Sequence, residues 1–172
     1  MFPARQFADG ASGEASIEAM TRWKIYWEDL SEGDLLPCRD IPFDRSGIVE
    51  FGKRYDPQPF HVDEAEASAS LFGGLIASAL HTLSACTKVV VEAQRGELAV
   101  LGGLGLSEVR LENPVRPGDV LKVEARWTAL RASRSRPDRG IADLRCKVSN
   151  QKGEPVAEYG YNYLIARRNF RP

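Results

Sequence analysis

His61 and His81 are the two histidines in the 172 residues, and the first of them follows a carboxylate under tight constraint. Asp56 precedes His61 by five positions, across Pro57-Gln58-Pro59-Phe60. Two prolines so close fix the backbone in extended or turn geometry and remove two N–H donors. An imidazole and a carboxylate held this way can share one water and move its protons as acid and base. Pre-set geometry reduces the ordering entropy lost on reaching a reactive arrangement. Such a pair also caps loops and helices elsewhere, and Asp63, three positions before Glu66, reads as a helix cap.

The elements that must position this pair can be read on either side of it. Asp44 has the look of a helix N-cap, with Ile48, Phe51 and Tyr55 at helical spacing behind it, and the prolines end that helix. A short helix from Asp63 through Ser70 follows, then a break at Phe72-Gly73-Gly74. From Leu75, the positions Ile76, Ala79, Leu80, Leu83, Cys86 and Val90 recur at three and four residues, which predicts a long buried helix ending before Gly96. Trp23–Trp27 alternates bulky and polar residues, as an edge strand or a lead into one would.

The second half changes period. Residues 98–111, 119–131, 141–150 and 156–166 read as four strands, separated by turn-rich or polar stretches. Leu101-Gly102-Gly103-Leu104-Gly105 lies inside a strand run and lacks the spacing of a nucleotide-binding loop, so its glycines indicate a bulge or close packing. Helices followed by antiparallel strands give an α+β fold, with the long helix across one face of the sheet.

Asp56-x-x-Pro59-x-His61-x-Asp63, followed by Phe72-Gly-Gly and the small-residue helix start, resembles the MaoC-like (R)-specific enoyl-CoA hydratase family. Asn113-Pro114-Val115-Arg116-Pro117-Gly118-Asp119 is similar to that family's Pro-Val-x-x-Gly-Asp turn, and Glu28-Asp29-Leu30 with Gly33-Asp34 to its opening. The resemblance spans roughly residues 25–165. It implies a hot-dog fold, an antiparallel sheet wrapped around one long central helix. It also implies hydration or dehydration of an acyl thioester, with Asp56 and His61 as the catalytic pair. The family's oxyanion donor, the backbone N–H of a Gly that follows a His, falls on Ser78-Ala79 when counted without gaps from His61. Its helix hydroxyl, which supports the catalytic carboxylate, falls on Thr87. His81 is then a packing or pocket-lining residue, and Arg116, Arg134 and Arg136 are candidates to meet coenzyme A phosphates. Coenzyme A would enter as part of the substrate, with no metal or redox cofactor, and hot-dog chains pair, so a homodimer or higher homo-oligomer is expected.

Composition narrows the remaining choices. A formal charge of −1 gives no basic surplus for general nucleic-acid binding. No apolar run reaches the ~18 residues of a membrane span. Cys38, Cys86 and Cys146 have no metal or disulfide spacing and read as reduced, buried thiols. Residues 1–20 read as a flexible extension that carries acidic residues and lacks a signal core, leaving residues 21–172 as a single cytoplasmic domain. Two other functions stay open: an acyl-CoA thioesterase, and a non-catalytic acyl-CoA-binding domain, which Ser78-Ala79 in place of His-Gly favours.

Overall fold

A computed structural model describes residues 23–171, and the N-terminal extension read from the sequence lies outside them. The described chain holds six strands and four α-helices. The strands are β1 (Leu35–Leu36), β2 (Ile41–Pro42), β3 (Val100–Leu111), β4 (Val120–Ala132), β5 (Arg139–Ser149) and β6 (Pro155–Ala166). Their order is β1-β4-β5-β6-β3, β2 also pairs with β4, and every pairing among these strands is antiparallel. The helices are α1 (Arg45–Tyr55), α2 (Pro59–Val62), α3 (Glu64–Ala69) and α4 (Ala79–Ala93).

The sheet buries one face because its side chains alternate across the pleat. Leu121, Val123, Ala125 and Trp127 of β4 point inward, as do Ala142, Leu144, Cys146 and Val148 of β5. They meet Cys86, Val89 and Val90 of α4, which recur at helical spacing, so helix and sheet close over one hydrophobic core. This is the hot-dog arrangement expected from the sequence. Cys86 and Cys146 are buried free thiols in that core, and burial pushes them up to about 12 and about 11, where they stay protonated and inert. No helix among the described residues is long and apolar enough to cross a membrane.

Two expectations need correction. The central helix starts at Ala79, not Leu75. Leu75, Ile76 and Ala77 are buried, but they lie outside the helix, with two of their N–H groups bonded across the fold: Ile76 to the Phe60 carbonyl (3.2 Å) and Ala77 to the Val115 carbonyl (2.8 Å). Trp23–Trp27 forms no edge strand. Ile25 makes a single parallel bridge to Leu98, and Trp27–Asp29 turns as a short 3-10 helix. The glycine run does sit within a strand, as expected, and β3 bulges between Val100 and Gly102 and between Gly103 and Gly105. Gly105 adopts φ +152°, and a Cβ on Gly103 would lie 2.8 Å from the Tyr161 hydroxyl.

Candidate active site

The end of α1 and the single turn of α2 set the first two side chains. Asp44 caps α1 by accepting the Gly47 N–H at 2.7 Å. The helix stops at Tyr55 because Pro57 cannot continue it. Asp56 takes φ −151°, ψ 73° and still donates its N–H to the Gly52 carbonyl (2.9 Å). Pro59 then opens α2 at the position where a missing N–H costs nothing. Gly52 lets the two helices touch: a Cβ there would lie 2.9 Å from Val62 Cγ1 and 3.0 Å from the His61 carbonyl oxygen.

This packing brings His61 Nε2 to 3.4 Å from Asp56 Oδ2. His61 is buried, whereas Asp56 keeps about a quarter of its side chain exposed (25%). The other imidazole nitrogen, Nδ1, lies 2.8 Å from the Ile76 carbonyl oxygen. A carbonyl only accepts, so Nδ1 carries the proton, and in the neutral ring Nε2 offers its lone pair toward Asp56. Two acceptors facing each other call for a shared proton or a bridging water.

Ser78 completes the polar end. It is fully buried at the N-cap of α4, where its Oγ accepts the Leu80 N–H at 3.1 Å. Its hydroxyl donates to Asp56 Oδ2 at 2.6 Å. The first N–H groups of a helix have no partner inside it. Leu80's is taken by Ser78, and Ala79, the first residue of α4, lines the cavity at this helix end. The positive end of the α4 dipole faces the same space.

The cavity measures about 400 Å³. Phe60, Phe72, Ile76 and Val115 supply its apolar lining beside Asp56 and His61. Phe60 meets the His61 ring edge-on at 4.6 Å and Phe72 at 5.0 Å, so the aromatic side of the cavity packs directly on the imidazole. Among the described residues no three His, Cys, Asp or Glu side chains converge as a metal site would need.

The MaoC like domain matches residues 31–146 of the chain. The chain belongs to this family. It is 37% identical to a MaoC-like dehydratase from Rhodospirillum rubrum, with a TM-score of 0.76 over 85% of this chain and 99% of that one. It is 36% identical to the 3-hydroxyacyl-[acyl-carrier-protein] dehydratase FabZ of Clostridioides difficile over 114 residues, 60% of this chain and 78% of that protein. A double-hotdog-fold protein of Mycobacterium tuberculosis shares the fold at TM-score 0.69 and 18% identity, over 88% of this chain and 47% of that one.

Within this MaoC-like domain the site residues expected from the sequence divide. Asp56, His61, Ser78 and Ala79 come together. Thr87 does not: it lies nine residues along α4 from Ser78, roughly 13 Å at helical rise, and its hydroxyl bonds the Leu83 carbonyl at 2.9 Å. The hydroxyl on the carboxylate is that of Ser78 instead. His81 lines a different depression, with Ile41, Pro42 and Lys88. Its ring stacks on Phe51 (4.6 Å, 5° between planes) and tilts against Phe43 (4.8 Å). Burial holds its pKa below the ordinary histidine value, against the pull of the Asp44 charge.

Arg116 sits beside the cavity lining residues Pro114 and Val115, where one of its N–H groups donates to the Phe72 carbonyl at 2.7 Å and steadies that wall. Arg134 and Arg136 lie in the hairpin between β4 and β5, at the other end of β4 from the Val115–Asp119 turn. Neither is among the residues that line the cavity. Gly52 and the Ile76 carbonyl were not foreseen. A glycine inside a helical stretch is a weak signal for the first, and a backbone acceptor leaves none for the second.

Proposed function

We propose that this chain hydrates a 2-enoyl thioester and, in reverse, dehydrates a 3-hydroxyacyl thioester, with Asp56 and His61 as its acid–base pair. The observation that carries the reading is the 3.4 Å approach of His61 Nε2 to Asp56 Oδ2, at the mouth of a helix N-terminus and against an apolar cavity. The 36% likeness to a dehydratase of 3-hydroxyacyl thioesters supports it.

A water seated between the pair would donate one proton to the pair as its oxygen attacks the β-carbon. Charge moves onto the thioester oxygen, where the Ala79 N–H and the α4 dipole stabilise it. One good donor of this kind contributes about 3–4 kcal/mol. The pair then returns a proton to the α-carbon, so water has added across the double bond. Asp56 and His61 act here together, handling the protons of one water across their 3.4 Å approach. Coenzyme A belongs to the substrate, and Arg116 at the cavity rim is the candidate for its phosphates. The protein works in the cytoplasm as a homodimer in this reading. Edge strand β3 supports the dimer, because Leu104, Leu106 and Leu111 stand about half exposed along it (55%, 48% and 55%).

One observation favours a binding module instead: Ala79, with a side chain bulkier than glycine's, stands at the donor position beside the cavity. Crotonyl-CoA and a longer 2-enoyl-CoA separate the readings. Hydratase activity predicts loss of enoyl absorbance with no free thiol. Thiol release would establish a thioesterase, and saturable binding with neither change would establish the binding module.

A further inference from the structure

We infer that Ser78 is the positioning residue of the site, a single hydroxyl that ties the carboxylate of Asp56 to the helix end bearing the Ala79 N–H. The inference rests on the hydratase reading and adds to it the link between the two halves of the chemistry. Ser78 is fully buried and uses its oxygen in both directions. It accepts the Leu80 N–H at 3.1 Å, which fixes the first turn of α4. It therefore points its proton at Asp56 Oδ2, 2.6 Å away.

Oδ2 is also the oxygen that faces His61 Nε2 at 3.4 Å. With Oδ2 held by Ser78, rotation about the Asp56 Cβ–Cγ bond is blocked and the carboxylate plane is set against both the imidazole and the helix end. His61 is fixed independently through Nδ1 and the Ile76 carbonyl, two residues before Ser78. The segment Ile76–Ala79 thus holds the imidazole through a carbonyl, the carboxylate through a hydroxyl and the thioester oxygen through an N–H. The spacing between proton transfer and charge stabilisation is set by four consecutive residues.

Capping and positioning can be separated by substitution. Glycine caps a helix nearly as well as serine, so Ser78→Gly keeps the helix start and loses the hydroxyl. Ser78→Cys keeps the buried volume and offers only a weak donor. Ser78→Thr keeps the hydroxyl. Hydration kinetics of the full chain on crotonyl-CoA should show kcat reduced about 10–100-fold in Ser78→Gly and Ser78→Cys, with KM within about twofold of the parent. Ser78→Thr should recover most of the loss. Gly and Cys variants that keep the parent's kcat would overturn the inference, as would a loss that Ser78→Thr fails to restore. A parent that does not hydrate the probe counts against the hydratase reading rather than against Ser78. The link is then read by carbon NMR of Asp-labelled protein, with the Asp56 carboxyl assigned by its absence from Asp56→Asn. That signal should move in Ser78→Gly and stay near the parent in Ser78→Thr, and an unmoved signal in Ser78→Gly would overturn the inference.

Discussion

Gly52→Ala should slow the enzyme from outside the cavity, by pressing on the backbone that carries His61. Glycine inside a helix is less favourable than alanine by about 1 kcal/mol, so in an exposed helix the substitution would stabilise. Here Gly52 is buried on the side of α1 that meets α2. The added methyl would lie 2.9 Å from Val62 Cγ1, 3.0 Å from the His61 carbonyl oxygen and 3.1 Å from His61 Cβ. Carbon atoms settle at about 3.5–4.0 Å, so α2 must retreat by roughly 0.5 Å, and the backbone of His61 moves with it. Overpacking of this kind costs about 1–3 kcal/mol, which leaves a net destabilisation of about 0–2 kcal/mol after the propensity gain. The larger effect falls on the pair, because the retreat opens the 3.4 Å approach of His61 to Asp56. A misplacement of ~1 Å can cost ~100-fold in rate, so half of it predicts a kcat lower by roughly 10-fold. Enoyl-CoA hydration kinetics and thermal denaturation of the same preparation measure both quantities. A variant with a raised Tm and unchanged kcat would refute the claim that Gly52 sets the position of His61.

Two further outcomes follow from groups buried away from the site. The Tyr159 hydroxyl is buried with no hydrogen-bond partner beyond the weak Cys146 thiol beside it, so Tyr159→Phe should leave the Tm unchanged or raise it; a clear drop in thermal denaturation would contradict this. Burial lowers the pKa of His81, so the unfolded chain takes up a proton there more readily than the folded one. Its contribution to stability is therefore complete above the ordinary value of 6.5 and is lost as pH falls through the lowered folded value. His81→Phe, which keeps a ring on Phe51, should flatten the decline in Tm between pH 7.5 and 5. An identical decline in both proteins would show that His81 is not responsible.

The strands were legible because alternation across a half-buried sheet is a local pattern. The expected 119–131 became Val120–Ala132, and 156–166 became Pro155–Ala166. The start of α4 was not legible, since Leu75, Ile76 and Ala77 continue the apolar helical stripe while their N–H groups bond Phe60 and Val115 across the fold. Asp56 and His61 could be paired from the sequence because two prolines tie them within five positions. Ser78 lies 22 residues from Asp56, and only the return of the chain through α3 and the Phe72 loop brings them into contact. Counting along the chain put the supporting hydroxyl on Thr87 for the same reason: position along a helix does not reveal which turn abuts the carboxylate. Arg134 and Arg136 were placed near the substrate by charge alone, and sheet topology carries their hairpin to the far end of β4.

The central claim is that Asp56 and His61 form one catalytic unit, and a double-mutant cycle on a 2-enoyl-CoA tests it most directly. Residues that act as a unit are strongly non-additive, so Asp56→Asn, His61→Ala and the double variant should each lower kcat/KM by a similar large factor, on the order of 1,000-fold or more. Independent losses that multiply in the double variant, or a single variant that keeps the parent's activity, would contradict the account.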